Sequence, residues 1–123
     1  MNLESAELSN TGSTVSRIEF GGVLTGLTNY LTEYSPEEID QRESVIAAID
    51  RAVELGINYF DIAAVYGTGE SEKIFGEGLA AAGVAARRAE FYVATKVSHN
   101  ESDPCGSIER SLENLRLDVI DLV

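Results

Sequence analysis

Residues 56–79 read GINYFDIAAVYGTGESEKIFGEGL, and the fold is decided largely within them. Ile57–Ile62 (INYFDI) is short, rich in β-branched and aromatic residues, and largely apolar on both faces. That is the pattern of a parallel strand covered on each side. A glycine-punctuated loop, AVYGTGE, follows it. From about Glu70 to Ala82, Ile74, Phe75 and Leu79 recur on one stripe of a helix, and Gly83 ends it. Strand, loop and helix in this order make one β/α unit.

The unit repeats on either side. Upstream lies Ser16–Phe20 (SRIEF), followed by Gly21 and Gly22; downstream lie Phe91–Val97 (FYVATKV) and Val119–Val123 (VIDLV). Between the first two runs, Ser35-Pro36-Glu37-Glu38 reads as a capping box, with Ser35 as N-cap, Pro36 at N1 and Glu38 at N3. Ile39, Ile46, Ile49 and Val53 follow at helical spacing, and Gly56 sits where a C′ glycine closes a helix. A third helix spans about Ser107 to Leu115, carried by Ile108, Leu112 and Leu115. The order β-α-β-α-β-α-β predicts parallel strands joined by right-handed crossovers. An open doubly wound sheet and the first half of a (β/α)8 barrel both satisfy it. No G-x-G-x-x-G follows the first strand, which weighs against a dinucleotide-binding doubly wound sheet. Residues 1–123 read as a single partial domain, with residues 1–10 expected as a flexible tail.

Composition narrows the partners. The 123 residues carry 21 acidic and 9 basic side chains, a formal charge of −12. Such a surface repels phosphate backbones and anionic lipid, so neither nucleic acid nor a membrane is expected as partner. The single cysteine, Cys105, reads as a small residue in a loop before a helix, and a cysteine-poor chain suits a reducing compartment. One Cys and one His supply too few soft ligands for a metal site. The opening MNLESAELSN lacks the basic and apolar regions of a secretory leader, and the expected location is the cytoplasm.

The residues that carry chemistry stand at strand ends. Asp61 closes the second apolar run and Lys96 lies near the end of the third, where an unpaired buried charge would be costly. They are expected to pair or to face a cleft. Tyr66 lies five residues after Asp61 in the loop beyond the same strand, on the face where barrels and open α/β sheets build their sites. A free phenol, with a pKa near 10, is a poor proton donor at neutral pH. An ammonium about 4 Å from a phenol oxygen favours the phenolate by roughly 4 kcal/mol at an effective dielectric of about 20. That is enough to bring a phenol into the range of a general acid. Singly, each residue has a plainer reading: Asp61 as a cap, Tyr66 as a packed aromatic, Lys96 as a surface side chain. Glu70, Glu72 and Glu77 read as a solvated helix face, and Gly67 and Gly69 as turn residues.

Taken together, GINYFDIAAVYGTGESEKIFGEGL resembles the aldo-keto reductase segment around the catalytic aspartate and tyrosine. FYVATKV is similar to the family's third strand with its catalytic lysine, and SIERSLENLRLDVIDLV to the helix and strand that lead to the catalytic histidine. TGSTVSRIEFGG resembles the family's opening hairpin and first barrel strand. The resemblance implies the N-terminal half of a (β/α)8 TIM barrel, truncated in the fourth strand. It implies Tyr66 as general acid, Lys96 as the residue that tunes it, and Asp61 as the partner of that lysine. It also places Gly21, Gly22 and Asp61 beside the nicotinamide of NADP(H), or less often NAD(H). The reaction implied is reversible hydride transfer with a small-molecule carbonyl or alcohol substrate, that is, an oxidoreductase.

Two departures accompany the resemblance. Ile62 stands where the family usually has Thr or Ser, and the only histidine, His99, does not match the catalytic one and reads as a solvent-facing loop residue. The family's main cofactor-binding elements and its histidine lie beyond Val123, so the 123-residue chain is expected to be inactive alone and part of a longer enzyme. A non-catalytic binding or regulatory protein of the same fold, and a half-barrel that assembles with its own copy, are the alternatives.

Overall fold

A computed structural model describes residues 3–123 of the chain. Its first element is a hairpin: β1 (Ser5–Glu7) pairs antiparallel with β2 (Thr14–Ser16). Part of the segment expected as a tail is therefore a strand, while Met1 and Asn2 lie outside the described residues. The predicted first strand, Ser16–Phe20, is corrected in the same way. Ser16 belongs to the hairpin and the sheet strand β3 is only Phe20–Gly21. The cause is Asn58. Its side chain accepts the Ser16 N–H (2.7 Å) and donates to the carbonyls of Thr14 (3.0 Å) and Glu90 (2.9 Å), so the hairpin is latched onto the end of the sheet.

The sheet proper is parallel. After β3 come the short helix α1 (Val23–Gly26), helix α2 (Ile39–Glu54), strand β4 (Tyr59–Asp61), helix α3 (Glu70–Ala81), a 3-10 helix (Val84–Glu90), strand β5 (Tyr92–Ala94) and helix α4 (Pro104–Leu115). Strands β3, β4 and β5 lie side by side, with Phe20 opposite Phe60, Gly21 opposite Asp61 and Asp61 opposite Ala94. The expected fourth strand shrinks to a single parallel bridge between Ala94 and Leu122. A side chain has taken part of its place in the ladder. The Asp121 carboxylate accepts the Val93 N–H (2.7 Å) and also binds Arg88.

The helix ends follow the sequence unevenly. Gly56 adopts φ +92°, and the N–H groups of Gly56 and Ile57 return to the carbonyls of Val53 and Ala52, a Schellman closure of α2. The capping box at Ser35 is not formed. Ser35 and Glu38 instead bracket a turn, closed by the Glu38 N–H on the Ser35 carbonyl at 3.1 Å, with Pro36 in the position of that turn where its fixed φ is favoured. Helix α2 begins only at Ile39, which is 72% exposed, so Val45 rather than Ile39 joins the apolar stripe. Helix α4 starts three residues earlier than its apolar spacing suggests. Asp103 caps it by accepting the Gly106 N–H and Pro104 occupies the first turn, which places exposed Cys105 in the helix and not in the loop before it.

The core fills the space between the sheet and its helices. Ile49, Phe60, Ile62, Phe75, Leu79, Val93 and Leu115 are its buried centre. Phe20 and Phe60 lie against Phe75 at ring-centroid distances of 5.7 and 6.2 Å. Helices α3 and α4 meet at Gly76, where an added Cβ would lie 2.1 Å from the Asn114 carbonyl oxygen. Since successive strand residues face opposite ways, Phe60, Ile62, Val93 and Thr95 point towards the helices. Tyr59, Asp61, Tyr92 and Lys96 then share the other face.

Candidate functional site

Lys96 reaches back across this second face to the neighbouring strand. Its Nζ donates to Asp61 Oδ1 at 2.5 Å and to the Ile62 carbonyl at 2.8 Å. The same Nζ lies 5.6 Å from the centre of the Tyr66 ring, within reach of cation–π attraction. Asp61, Lys96 and Tyr66, singled out from three separate positions in the sequence, thus form one group. The side chains of Lys96 and Asp61 are 48% and 29% exposed, so the group opens to solvent. His99 is exposed in the loop beyond and does not join it.

Ile62, the apolar departure beside Asp61, is wholly buried and belongs to the core. Its side chain faces the helices, and only its carbonyl takes part in the site.

The loop that carries Tyr66 is seated by backbone contacts. The Tyr66 N–H donates to the Ala63 carbonyl (3.1 Å) and the Tyr66 carbonyl accepts the Ser71 N–H (3.2 Å). Gly67 adopts φ +62°, and a Cβ there would lie 1.9 Å from the carbonyl oxygen of Gly26. Gly26 in turn would place a Cβ 2.5 Å from the Tyr66 carbonyl oxygen. Two glycines back to back let helix α1 press against the tyrosine loop.

Gly21 and Gly22 lie at the head of the group. Gly21 is paired in register with Asp61, and the Gly22 N–H donates to the Asp61 carbonyl at 2.8 Å. A Cβ on Gly21 would meet nothing within 4 Å, whereas one on Gly22 would lie 2.7 Å from Ser71 Oγ. The turn is held from beneath by two buried hydroxyls. Thr25 and Ser71 lie 2.8 Å apart and donate to the Gly22 carbonyl at 2.7 and 2.8 Å.

The glutamates of α3 are not a solvated face. Glu70 and Glu77 clamp Arg42 of α2, with Glu77 bidentate at 2.9 and 3.0 Å, and the Arg42 hydrogen bond holds the Glu77 carboxyl below its ordinary value. Glu72 is 1% exposed. Its oxygens accept the Thr95 hydroxyl (2.7 Å) and the Asn114 amide (3.2 Å). Sequence reasoning missed Thr25, Gly26, Ser71, Glu72 and Thr95. A signal existed for Glu72, which stands three residues before Phe75 and seven before Leu79, on the apolar stripe itself. Burial also raises the phenol of Tyr34, whose hydroxyl donates to the Thr25 carbonyl at 3.0 Å. Among the described residues there is no group of three or more His, Cys, Asp or Glu placed to hold a metal. None of the helices described is long and apolar enough to cross a membrane.

Comparison with known proteins gives this geometry a context. The family model described as "Aldo/keto reductase family" matches residues 18–123. L-galactose dehydrogenase of Arabidopsis thaliana is 35% identical over 98% of this chain and 37% of its own length. Methylglyoxal reductase DkgA of Salmonella typhimurium is 34% identical over 89% of this chain and 36% of its own length. Among solved structures, the aldo-keto reductase of Bombyx mori in complex with NADP is 26% identical, with a TM-score of 0.69 over 98% of this chain and 36% of that one. The thermostable aldo-keto reductase Tm1743 reaches a TM-score of 0.75 at 22% identity, over 96% of this chain and 40% of that one. The chain therefore spans little more than a third of the length of these curated relatives.

Proposed function

This chain belongs to the aldo/keto reductase family, and from that premise we propose that it is the N-terminal part of a nicotinamide-dependent oxidoreductase that reduces small aldehydes or ketones, or oxidises the matching alcohols. The observation that carries the reading is the double anchoring of Lys96 on Asp61 Oδ1 and the Ile62 carbonyl, with its ammonium over the Tyr66 ring. Asp61 and Ile62 hold the ammonium in place. Lys96 stabilises negative charge developing on the Tyr66 oxygen. The Tyr66 hydroxyl gives its proton to the carbonyl oxygen of the substrate, and in the reverse direction takes it back.

NADP(H), or NAD(H), is the cofactor of this reading. The open side of Gly21, directly paired with Asp61, offers a flat ring close approach to the backbone, so the residues present fit the nicotinamide end of such a cofactor. Gly21, Gly22 and Asp61 would hold that end, and the bound cofactor supplies the hydride for the carbonyl carbon. The substrate class follows from the names of the relatives, methylglyoxal reductase and L-galactose dehydrogenase, both of which name small oxygenated molecules.

The test is steady-state reduction of methylglyoxal and 4-nitrobenzaldehyde by the full-length protein that carries this chain, followed by nicotinamide absorbance. Tyr66→Phe should lower kcat by about 10²–10⁴-fold with cofactor affinity little changed, the usual worth of a general acid. Lys96→Met should be similarly severe. Asp61→Asn should be milder, because the Ile62 carbonyl still accepts from the ammonium. Near-parental turnover in Tyr66→Phe with hydride transfer rate-limiting would remove Tyr66 from its role, and a parent with no carbonyl reduction would remove the reductase reading.

A further inference from the structure

Glu72 is a buried carboxylate engaged only by neutral donors. It is 1% exposed, and among the described residues it forms no ion pair. Its position in the first turn of α3 helps it remain there, because the helix N-terminus presents partial positive charge. One oxygen receives the hydroxyl of Thr95 and the other the side-chain amide of Asn114. Thr95 immediately precedes Lys96, and the pleat sends their side chains to opposite faces of the sheet. The Thr95 N–H is bound as well, to the Leu122 carbonyl at 3.0 Å. The residue that sets how Lys96 leaves the strand is thus gripped on both its backbone and its side chain.

The same turn of α3 holds the other parts of the site. Ser71 binds the Gly22 carbonyl through its hydroxyl and the Tyr66 carbonyl through its N–H. Glu70 ties the turn to Arg42 of α2. The tyrosine loop, the glycine turn and the lysine strand therefore share one anchor, and Glu72 is its link to the strand.

We propose that Glu72 is a positioning residue for Lys96: by holding the Thr95 hydroxyl it fixes the end of β5 so that the ammonium sits between Asp61, the Ile62 carbonyl and the Tyr66 ring. This deepens the reductase reading and rests on it for the consequence in turnover. The geometric claim has a readout of its own. A lysine amine held in hydrogen bonds is slow to acylate, and one released to solvent, where it can give up its proton and attack, is fast.

The experiment compares Thr95→Val, which keeps the shape and loses the hydroxyl, with Thr95→Ser, which keeps the hydroxyl, in the full-length protein. Limited acetic anhydride labelling of Lys96 is read by mass spectrometry against Lys73. This half-exposed lysine in the first turn of α3 pairs with Glu70 and makes no contact with Thr95, so the Thr95 variants leave its surroundings unchanged. Labelling of Lys96 relative to Lys73 should rise several-fold in Thr95→Val and return towards the parent in Thr95→Ser. In the same variants kcat for 4-nitrobenzaldehyde should fall by about 10- to 10²-fold in Thr95→Val, the scale of loss for a sub-ångström to ångström misplacement. KM should stay within about twofold, because the loss is of position at the reacting group and not of substrate binding. Glu72→Leu should act as Thr95→Val does, and if it does not fold the Thr95 pair still decides. Unchanged relative labelling of Lys96 in Thr95→Val overturns the proposal, as does an equal rise at Lys73, which would mean general loosening. A parent without carbonyl reduction would sink the reductase reading while the labelling ratio still judged Glu72.

Discussion

Replacing Gly67 by alanine tests whether the backbone contact beneath Tyr66 seats the tyrosine. The added Cβ would lie 1.9 Å from the Gly26 carbonyl oxygen, and real Cβ contacts essentially never fall under 3.0 Å, so the two chain segments must part by about 1.1 Å. Gly67 also sits at φ +62°, where a non-glycine residue costs about 1–2 kcal/mol. Gly83, at φ +69° with nothing within 4 Å of an added Cβ, carries the same conformational cost without the clash. Gly83→Ala should therefore lose about 1 kcal/mol, part of the strain being offset by a less flexible unfolded chain. Gly67→Ala should lose a further 1–3 kcal/mol or so, the usual cost of forcing atoms into a packed site. The loss should extend to chemistry. A displacement near 1 Å beside the proposed general acid, Tyr66, is worth about 10²-fold in turnover, whereas Gly83→Ala should stay near the parent. Urea unfolding and steady-state carbonyl reduction of the full-length protein measure the two effects. Equal stability losses in the two variants, with kcat retained in Gly67→Ala, would refute the idea that the Gly26–Gly67 contact holds Tyr66 in place.

Other expectations follow from single contacts. Arg42 lowers the Glu77 carboxyl, so that ion pair contributes stability fully above the unfolded glutamate value and loses it as pH falls through the folded one. Urea midpoints measured between pH 7 and pH 3 should show this slope, and Arg42→Gln should flatten it. Asn58→Ala should cost about 1 kcal/mol by removing the side-chain hydrogen bonds to the backbone of Ser16, Thr14 and Glu90. It should also free the hairpin, seen as faster amide exchange at Ser16, and unchanged protection there would contradict the latch. The isolated 123-residue chain exposes Leu31, Val119, Leu122 and Val123, and should self-associate in sedimentation; a sharp monomer with a cooperative melt would contradict this.

Periodicity and local chemistry determined the run of elements. Helix α3 lies where Ile74, Phe75 and Leu79 place it, and Gly56 and Gly83 end their helices in the left-handed conformation that few other residues adopt cheaply. The pairing of Asp61 with Lys96 was legible because a charge at the end of an apolar strand needs a partner, and the nearest partner is on the adjacent strand; Tyr66 stood out only by its place in the loop beyond Asp61. The tertiary structure alone decided the rest. A capping box competes with a turn on equal local terms at Ser35, and the turn formed there. The side chains of Asn58 and Asp121 take backbone partners distant in sequence, which shortens one predicted strand and reduces another to a bridge. Glu72 carries the same charge as its neighbours Glu70 and Glu77. Its place on the stripe of Phe75 and Leu79 was in the sequence, but its partners Thr95 and Asn114 come from other elements. Only the packing of α3 against them decided what it binds, since burial is a property of the surfaces that meet and not of the residue that is buried.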